Sequence, residues 1–328
     1  MAFPTAGPTL GSTSTAQEEG YRAWADAALA IADCEPVTMV VDPSDAARAR
    51  NMLGSDVELL EAPVDEFWMR DVGPTFVQDR DDPGRLGAVD WTFNGWGTSS
   101  WAVWERSAQL ASLISREVCA ERLPSLLVTE GGGFHVDGQG TVLLTETVQL
   151  DPRRNPHADR FRVEQEVHRL LGTETTIWLP RGLSRDYGAF GTNGHVDIVA
   201  AFCSPGTVLL HAQPDANHPD HAIMPQIRQA LCEQTDTAGR KLEIIEIPAP
   251  ETLRDDEGFV DWSYINHYVA NGAVIACSFG DPVADARARE LLSHAYPGRE
   301  VLPVEARPIF ERGGGIHCIT QQQPKGQS

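Results

Sequence analysis

The chain has 328 residues, enough for one large domain or two small ones, and 41% of them are hydrophobic, an ordinary share for a globular protein. Its 26 Lys and Arg face 47 Asp and Glu, a formal charge of −21. That balance argues against a nucleic-acid partner, whose phosphates need a basic face, and is compatible with steering of a small cation or with plain solubility. No apolar run reaches the roughly 20 residues of a spanning helix, so no membrane partner is expected. The segment Met1-Ala2-Phe3-Pro4-Thr5-Ala6-Gly7 lacks a basic region and a long apolar one, which leaves the cytoplasm as the default location.

Thr15-Ala16-Gln17-Glu18 reads as a capping box for a helix with Tyr21, Trp24, Ala25, Ala28, Leu29 and Ala32 at helical spacing. A strand over 37–41, a helix over 45–53 and a strand over 57–60 follow. The pattern recurs as strand 87–93, helix 101–118, strands 125–129 and 141–145, and helix 163–171. It continues with strands 176–179, 195–202 and 207–211, helix 223–232, and strands 242–247 and 273–279. The last helix covers 284–295, before strands near Val301 and Ile316. About three strand-like segments separate successive long helices, and no low-complexity linker divides the chain. One domain over 1–328, made of repeated ββαβ units round an axis, fits better than a doubly wound sheet. No Gly-x-Gly-x-x-Gly follows the first strand and there is no Gly-Lys-Ser/Thr, which weakens nucleotide binding.

One local motif is repeated. Gly131-Gly132-Gly133-Phe134-His135-Val136-Asp137, Gly194-His195-Val196-Asp197 and Gly313-Gly314-Gly315-Ile316-His317-Cys318 share glycine followed by histidine, which suggests turns facing one site. Of six cysteines, Cys34, Cys119, Cys203, Cys232 and Cys277 are expected to pack as small hydrophobes; none forms Cys-x-x-Cys or a zinc spacing. Cys318 differs, because the glycine run presents it from a tight backbone. Read as strand residues, His195 and Asp197 share a face, whereas His317 and Cys318 point apart. His195 is therefore the expected base for Cys318, and His317 a poor candidate. Asp71 and Asp197 could both accept fork-like hydrogen bonds from a planar guanidinium. Cys, His and two Asp suit thiolate attack on a guanidinium carbon, with His protonating the leaving ammonia and then activating water. Plain structural readings stand beside these: a core cysteine, a satisfied histidine, an Asp71 paired with Arg70, a Glu130 that caps the glycine turn.

Four stretches resemble the agmatine deiminase family, related to bacterial peptidylarginine deiminases: Trp68-Met69-Arg70-Asp71-Val72-Gly73-Pro74-Thr75, Glu130 to Gly138, Thr192 to Asp197, and Gly313 to Pro324. Asp90 to Gly97 and Arg154-Asn155-Pro156-His157 do so too, and the resemblance runs over nearly the whole chain. It implies an α/β pentein propeller of five pseudo-symmetric ββαβ units around a central active site. It also implies hydrolysis of agmatine to N-carbamoylputrescine and ammonia, in putrescine biosynthesis, with no metal and no organic cofactor. Cys318 would be the nucleophile forming a covalent amidino adduct and His195 the general acid/base. Asp71 and Asp197 would hold the guanidinium, and Trp68 would line the aliphatic chain. Glu130 and Asp186 are expected as further substrate contacts, Asp186 for the distal amine. The partner is a small cationic guanidine, and a homo-oligomer is compatible with the family.

Three features depart from the family. The start resembles the middle of the family's first strand, as if a short segment were missing. Ile198 stands where Asn is usual, and the loop Arg185-Asp186-Tyr187-Gly188-Ala189-Phe190-Gly191 puts Phe190 where an acidic residue helps to hold the amine. Alternatives are a deiminase of another guanidine, such as a peptide C-terminal arginine or a modified guanidine, an amidinotransferase, and a non-catalytic pentein binding module.

Overall fold

The structure is a computed structural model that describes residues 1–325. Helix α1 (Ser14–Ala32) leads into β1 (Val37–Val41), α2 (Ala46–Leu53) and β2 (Val57–Glu61), with β1 parallel to β2. Ala2 bridges Val40 on the other edge, so residues 1–3 supply a third rung. Four further units repeat one rule: a hairpin, a crossover helix, and a strand parallel to the second hairpin strand. In the second unit β3 (Thr75–Gln78) and β4 (Leu86–Thr92) are antiparallel, and α3 (Leu110–Glu117) returns the chain to β5 (Glu121–Val128). The third is β5's successor set β6 (Phe134–Val136), β7 (Thr141–Thr145), α4 (Arg160–Leu171) and β8 (Thr175–Leu179). The fourth is β9 (Ala200–Ser204), β10 (Thr207–Ala212), α5 (Asp220–Glu233) and β11 (Glu243–Pro248). The fifth is β12 (Tyr268–Ala270), β13 (Ala273–Ser278), α6 (Pro282–Ala295) and β14 (Glu300–Glu305). These five small sheets are the pentein repeats expected from the sequence.

Local chemistry explains the punctuation. Two-residue hairpin turns need left-handed backbone, which Gly206 and Gly272 provide at φ 83° and 72°. A parallel partner needs a crossover, and the helices that make it carry caps: Asp159 accepts from Arg162 N–H, and Asp281 accepts from Val283 and Ala284 N–H with Pro282 at the first helical position. Middle strands are covered on both faces, so β7 is buried along its length. In α1 the face of Tyr21, Trp24, Ala25, Ala28 and Ile31 is buried. Fully buried Trp24 meets the rings of Phe67 and Trp68 edge-on at 5.2 and 5.4 Å. Truncating such a residue costs about 3–5 kcal/mol.

The ring closes through its ends. Arg312, buried, donates from Nε to Leu10 O at 3.1 Å and from Nη2 to Ala16 O, while Arg70 N–H donates to Cys318 O at 3.0 Å. Among the described residues no helix is long and apolar enough to cross a membrane.

Several expectations need correction. The α1 cap is Thr13, accepting from Ala16 N–H, not Thr15. The helix foreseen over 101–118 covers only Leu110–Glu117, because Trp101 is drawn away to stack on Trp96. Residues 196–198 form a single tight turn ahead of β9, and Ile316 to Cys318 lie in a turn, not a strand. Cys119 and Cys232 are exposed, whereas Cys277 packs as foreseen.

Candidate active site

Cys318 sits in a turn that the sequence builds with care. Thr320 Oγ1 donates back to Ile316 O at 3.0 Å, and Arg70 Nε donates to His317 O at 3.3 Å. Asn266 Oδ1 accepts from His317 N–H at 2.9 Å. The preceding glycines are steric necessities. A Cβ at Gly314 would lie 2.8 Å from Trp68 Cζ3 and 3.0 Å from Cys318 Sγ, so the Trp68 ring edge and the thiol share one small space. The thiol is 3.4 Å from Asp197 Oδ2 and 3.2 Å from Asn266 Nδ2.

His195 is fixed from two sides. Its N–H donates to Asp186 Oδ2 at 3.0 Å, and its Nε2 meets Glu130 Oε2 at 3.1 Å. Glu130 is in turn paired with buried Arg154, whose Nε lies 2.9 Å from Oε1. His195 Nδ1, the other ring nitrogen, is 3.9 Å from Asp71 Oδ2. Asp71 is held by Gly132 N–H at 3.0 Å and by the Trp96 indole N–H at 2.9 Å. The three groups converge on one point: a Cβ at Gly132 would be 2.5 Å from His195 Nδ1 and 3.1 Å from both Asp197 Oδ2 and Asp71 Oδ1.

Burial and charge set the protonation states. Burial, then Asp197 and Asp71, push the Cys318 thiol well above its ordinary value. Burial also opposes a charged His195, but Asp71, Glu130 and Asp197 outweigh it and hold the ring at about 9. Burial lifts Asp71 to about 6 against the pull of His195. Burial is the largest single influence on Asp197 and pushes it up, but the His317 hydrogen bond and the charges of His317 and His195 together outweigh it, so that carboxylate lies below its ordinary range and stays ionised. Asp71, Glu130, Asp186 and Asp197 thus face the buried cations Arg70, Arg154 and His195. Asp151, also buried, pairs with Arg154 at 3.3 Å, so buried carboxylates outnumber the buried cations and a guanidinium would offset part of the surplus. Asp197 Oδ1 is buried without a partner and is an acceptor in wait for an N–H donor.

The sequence-derived residues fall into two groups. Cys318, His195, Asp71, Asp197 and Trp68 meet at one site, and Glu130 adjoins it as the partner of His195. Asp186 differs. Its oxygens take the N–H groups of Thr192 at 2.6 Å and Gly194 at 2.6 Å, together with the His195 N–H and the Thr192 hydroxyl. It braces the turn that carries His195. His317 also differs from expectation: the turn rotates it onto Asp197, with Nδ1 donating to Oδ2 at 2.7 Å. Asn266 was not foreseen; Trp96, Arg154 and Arg70 lay in stretches that carried the resemblance but were given no role at the site. Trp96 had a signal, since Asn94-Gly95-Trp96-Gly97 is glycine-rich, and Trp96 holds the unfavourable φ of 53°. Phe190 at φ 60° is another bulky residue held in that region, and its ring lies 5.2 Å from Trp101. His135, the third echo, accepts from Phe202 N–H at 3.2 Å and takes no part beside the thiol.

Known proteins resemble this chain along nearly its whole length. Residues 1–324 match the family described as Porphyromonas-type peptidyl-arginine deiminase. A Streptomyces coelicolor relative, named provisionally as an agmatine deiminase, is 54% identical over 99% of this chain and 95% of its own. The agmatine deiminase of Medicago truncatula is 39% identical over 90% of this chain and 86% of its own. The solved agmatine deiminase of Enterococcus faecalis superposes with a TM-score of 0.90 at 32% identity, covering 100% of this chain and 93% of that one. A five-unit ring, a thiol against a carboxylate and likeness along almost the full length coincide, and the chain belongs to the agmatine deiminase family of the Porphyromonas-type peptidyl-arginine deiminase group.

Proposed function

We propose that the protein, as one catalytic domain, hydrolyses agmatine to N-carbamoylputrescine and ammonia, a step in making putrescine. The observation that carries this reading is the meeting of the Cys318 thiol, the cationic His195 and two buried carboxylates round one small space. The agmatine deiminases it resembles supply the substrate.

In the resting site the thiol keeps its proton and His195 is charged. A guanidinium between Asp71 and Asp197 brings a positive charge beside Sγ, so the thiol gives up its proton to solvent and the thiolate forms. The thiolate attacks the guanidino carbon, and His195 Nδ1, the ring nitrogen not bonded to Glu130, gives its proton to the departing ammonia. Neutral His195 then takes a proton from water as the water attacks the same carbon. Glu130 keeps the ring oriented throughout and acts as a positioning residue. Trp68 faces the methylene chain.

The distal ammonium falls to Trp101 and Phe190, whose faces can hold a cation where Asp186 is already spent. That rim also favours a second reading, a more apolar guanidine. The reaction belongs in the cytoplasm, where six cysteines with no disulfide among the described residues would stay reduced. A homo-oligomer is compatible with it.

The test is ammonia and ureido-product formation from agmatine, free arginine, peptidyl-arginine and simple alkylguanidines. Agmatine is expected to lead, and Cys318→Ser to abolish turnover while substrate binding persists. Near-normal turnover in Cys318→Ser sinks the mechanism. Preference for an alkylguanidine keeps the mechanism and overturns the substrate.

A further inference from the structure

A second cavity, of about 200 Å³, reaches the catalytic carboxylate from behind. Asp197, His317, Arg70 and His135 are among the residues that line it. Val269, 39% exposed, and Gln322, also exposed, line it too, so the cavity opens to solvent. Cys318, His195, Asp71, Trp68 and Trp96 do not border it. Asp197 therefore borders both spaces: its Oδ2 lies 3.4 Å from the Cys318 thiol and 2.7 Å from His317 Nδ1, and both Asp197 and His317 line the cavity. Arg70 is 5% exposed, and its Nη2 is a buried donor with no partner, while Nε and Nη1 are occupied by His317 O and Gln321 Oε1. A polar cavity of this size with an orphaned donor suits a small neutral acceptor such as water or ammonia. Burial holds the cavity's imidazoles neutral, His135 at about 3 and His267 at about 4, so none offers a fixed charge to trap what passes.

The chemistry needs such a path. When the C–S bond forms and the C–N bond breaks, ammonia leaves with the His195 proton, but the aminobutyl chain stays bound through Cys318. Water must then enter, lose a proton to His195 and attack the carbon. The C–S bond breaks as the carbonyl forms, and the hydroxyl proton returns to the thiolate. Through both exchanges the Trp68 side is filled by the chain. We infer that the rear cavity is the passage for water and ammonia while the covalent adduct exists. This rests on the reading of Cys318 as nucleophile.

The experiment narrows the mouth with Val269→Phe and Val269→Trp, and the wall with Ala201→Val, with Val269→Ala as the open control. Rapid-quench kinetics with agmatine would follow ammonia and ureido product separately, and intact mass would follow the adduct. The passage predicts that the ammonia-forming step and substrate binding stay near wild type in the narrowed variants. The hydrolytic step slows about tenfold and the adduct accumulates, more in Val269→Trp than in Val269→Phe. Thermal unfolding separates misfolded variants, and Ala201→Val reports from a different wall. Hydrolysis within twofold of wild type in folded, narrowed variants overturns the passage. Absence of any adduct in the wild type, with activity surviving Cys318→Ser, would instead overturn the underlying mechanism.

Discussion

Three adjacent glycines should respond in three different ways when each becomes alanine, and Gly132 is the informative one. Its φ lies outside the left-handed region, so the backbone tolerates a side chain; only the surroundings do not. The new methyl would sit 2.5 Å from His195 Nδ1, about 0.9 Å short of an ordinary 3.4 Å contact, and 3.1 Å from Asp197 and Asp71. The His195 ring is anchored at Glu130 and its backbone at Asp186, so it relieves the clash only by giving up its aim. A displacement near 1 Å in a reacting group costs on the order of 100-fold in rate, and the added methyl costs about 1–3 kcal/mol of stability. Gly131→Ala instead meets Arg70 O at 2.2 Å and should lower stability first. Gly133→Ala has nothing nearer than 3.2 Å and should keep most activity. Steady-state product formation and thermal melts on all three variants decide the matter. If Gly132→Ala and Gly133→Ala are equally active, the three groups do not converge as described.

Other perturbations give separate readouts. His317→Ala leaves Asp197 without its 2.7 Å donor and should cut kcat/KM about 10–100-fold; full activity would remove His317 from the site. The pH profile of kcat/KM should fall below about 6 as Asp71 gains its proton and above about 9 as His195 loses its own. Glu130→Gln removes one of the carboxylates that keep His195 charged, so the upper limb should move down in pH. The same change takes one of two carboxylates from buried Arg154, which keeps Asp151 at 3.3 Å, and should cost about 1–3 kcal/mol in melts; an unmoved upper limb would detach His195 from that limb. Trp101→Ala should raise KM for agmatine several-fold and leave methylguanidine unchanged; equal effects on both would rule out a distal contact.

The repeat of strands and helices was legible in the chain because burial on both faces writes continuous apolar runs such as Thr141–Thr145. The glycine–histidine echoes pointed to the right turns. What failed was the assumption that those turns continue the strands. Spacing says that alternate residues share a face only if the backbone is extended, and residues 196–198 and 316–319 are not. His317 therefore lands on Asp197. Asn266 left no trace because its work, clamping the N–H of His317 and meeting the thiol, comes from the loop ahead of β12, 51 residues before His317. Asp186 was the right residue type with the wrong addressee: a carboxylate beside glycine and threonine N–H groups is satisfied by its own loop. Trp101 was misplaced on a helix because aromatic spacing alone does not distinguish a helical face from a stack.

The hydrogen bond from Arg70 to Cys318 O joins the segment after the first sheet to the segment after the fifth. A growing chain therefore carries Asp71, Glu130 and His195 long before it has a nucleophile to serve. The loop that this contact closes is nearly the length of the protein, so its entropic cost falls late and the reward arrives only when the ring shuts. Incomplete chains are thus chemically silent toward the guanidines around them. Competence comes in one step, with the closure itself.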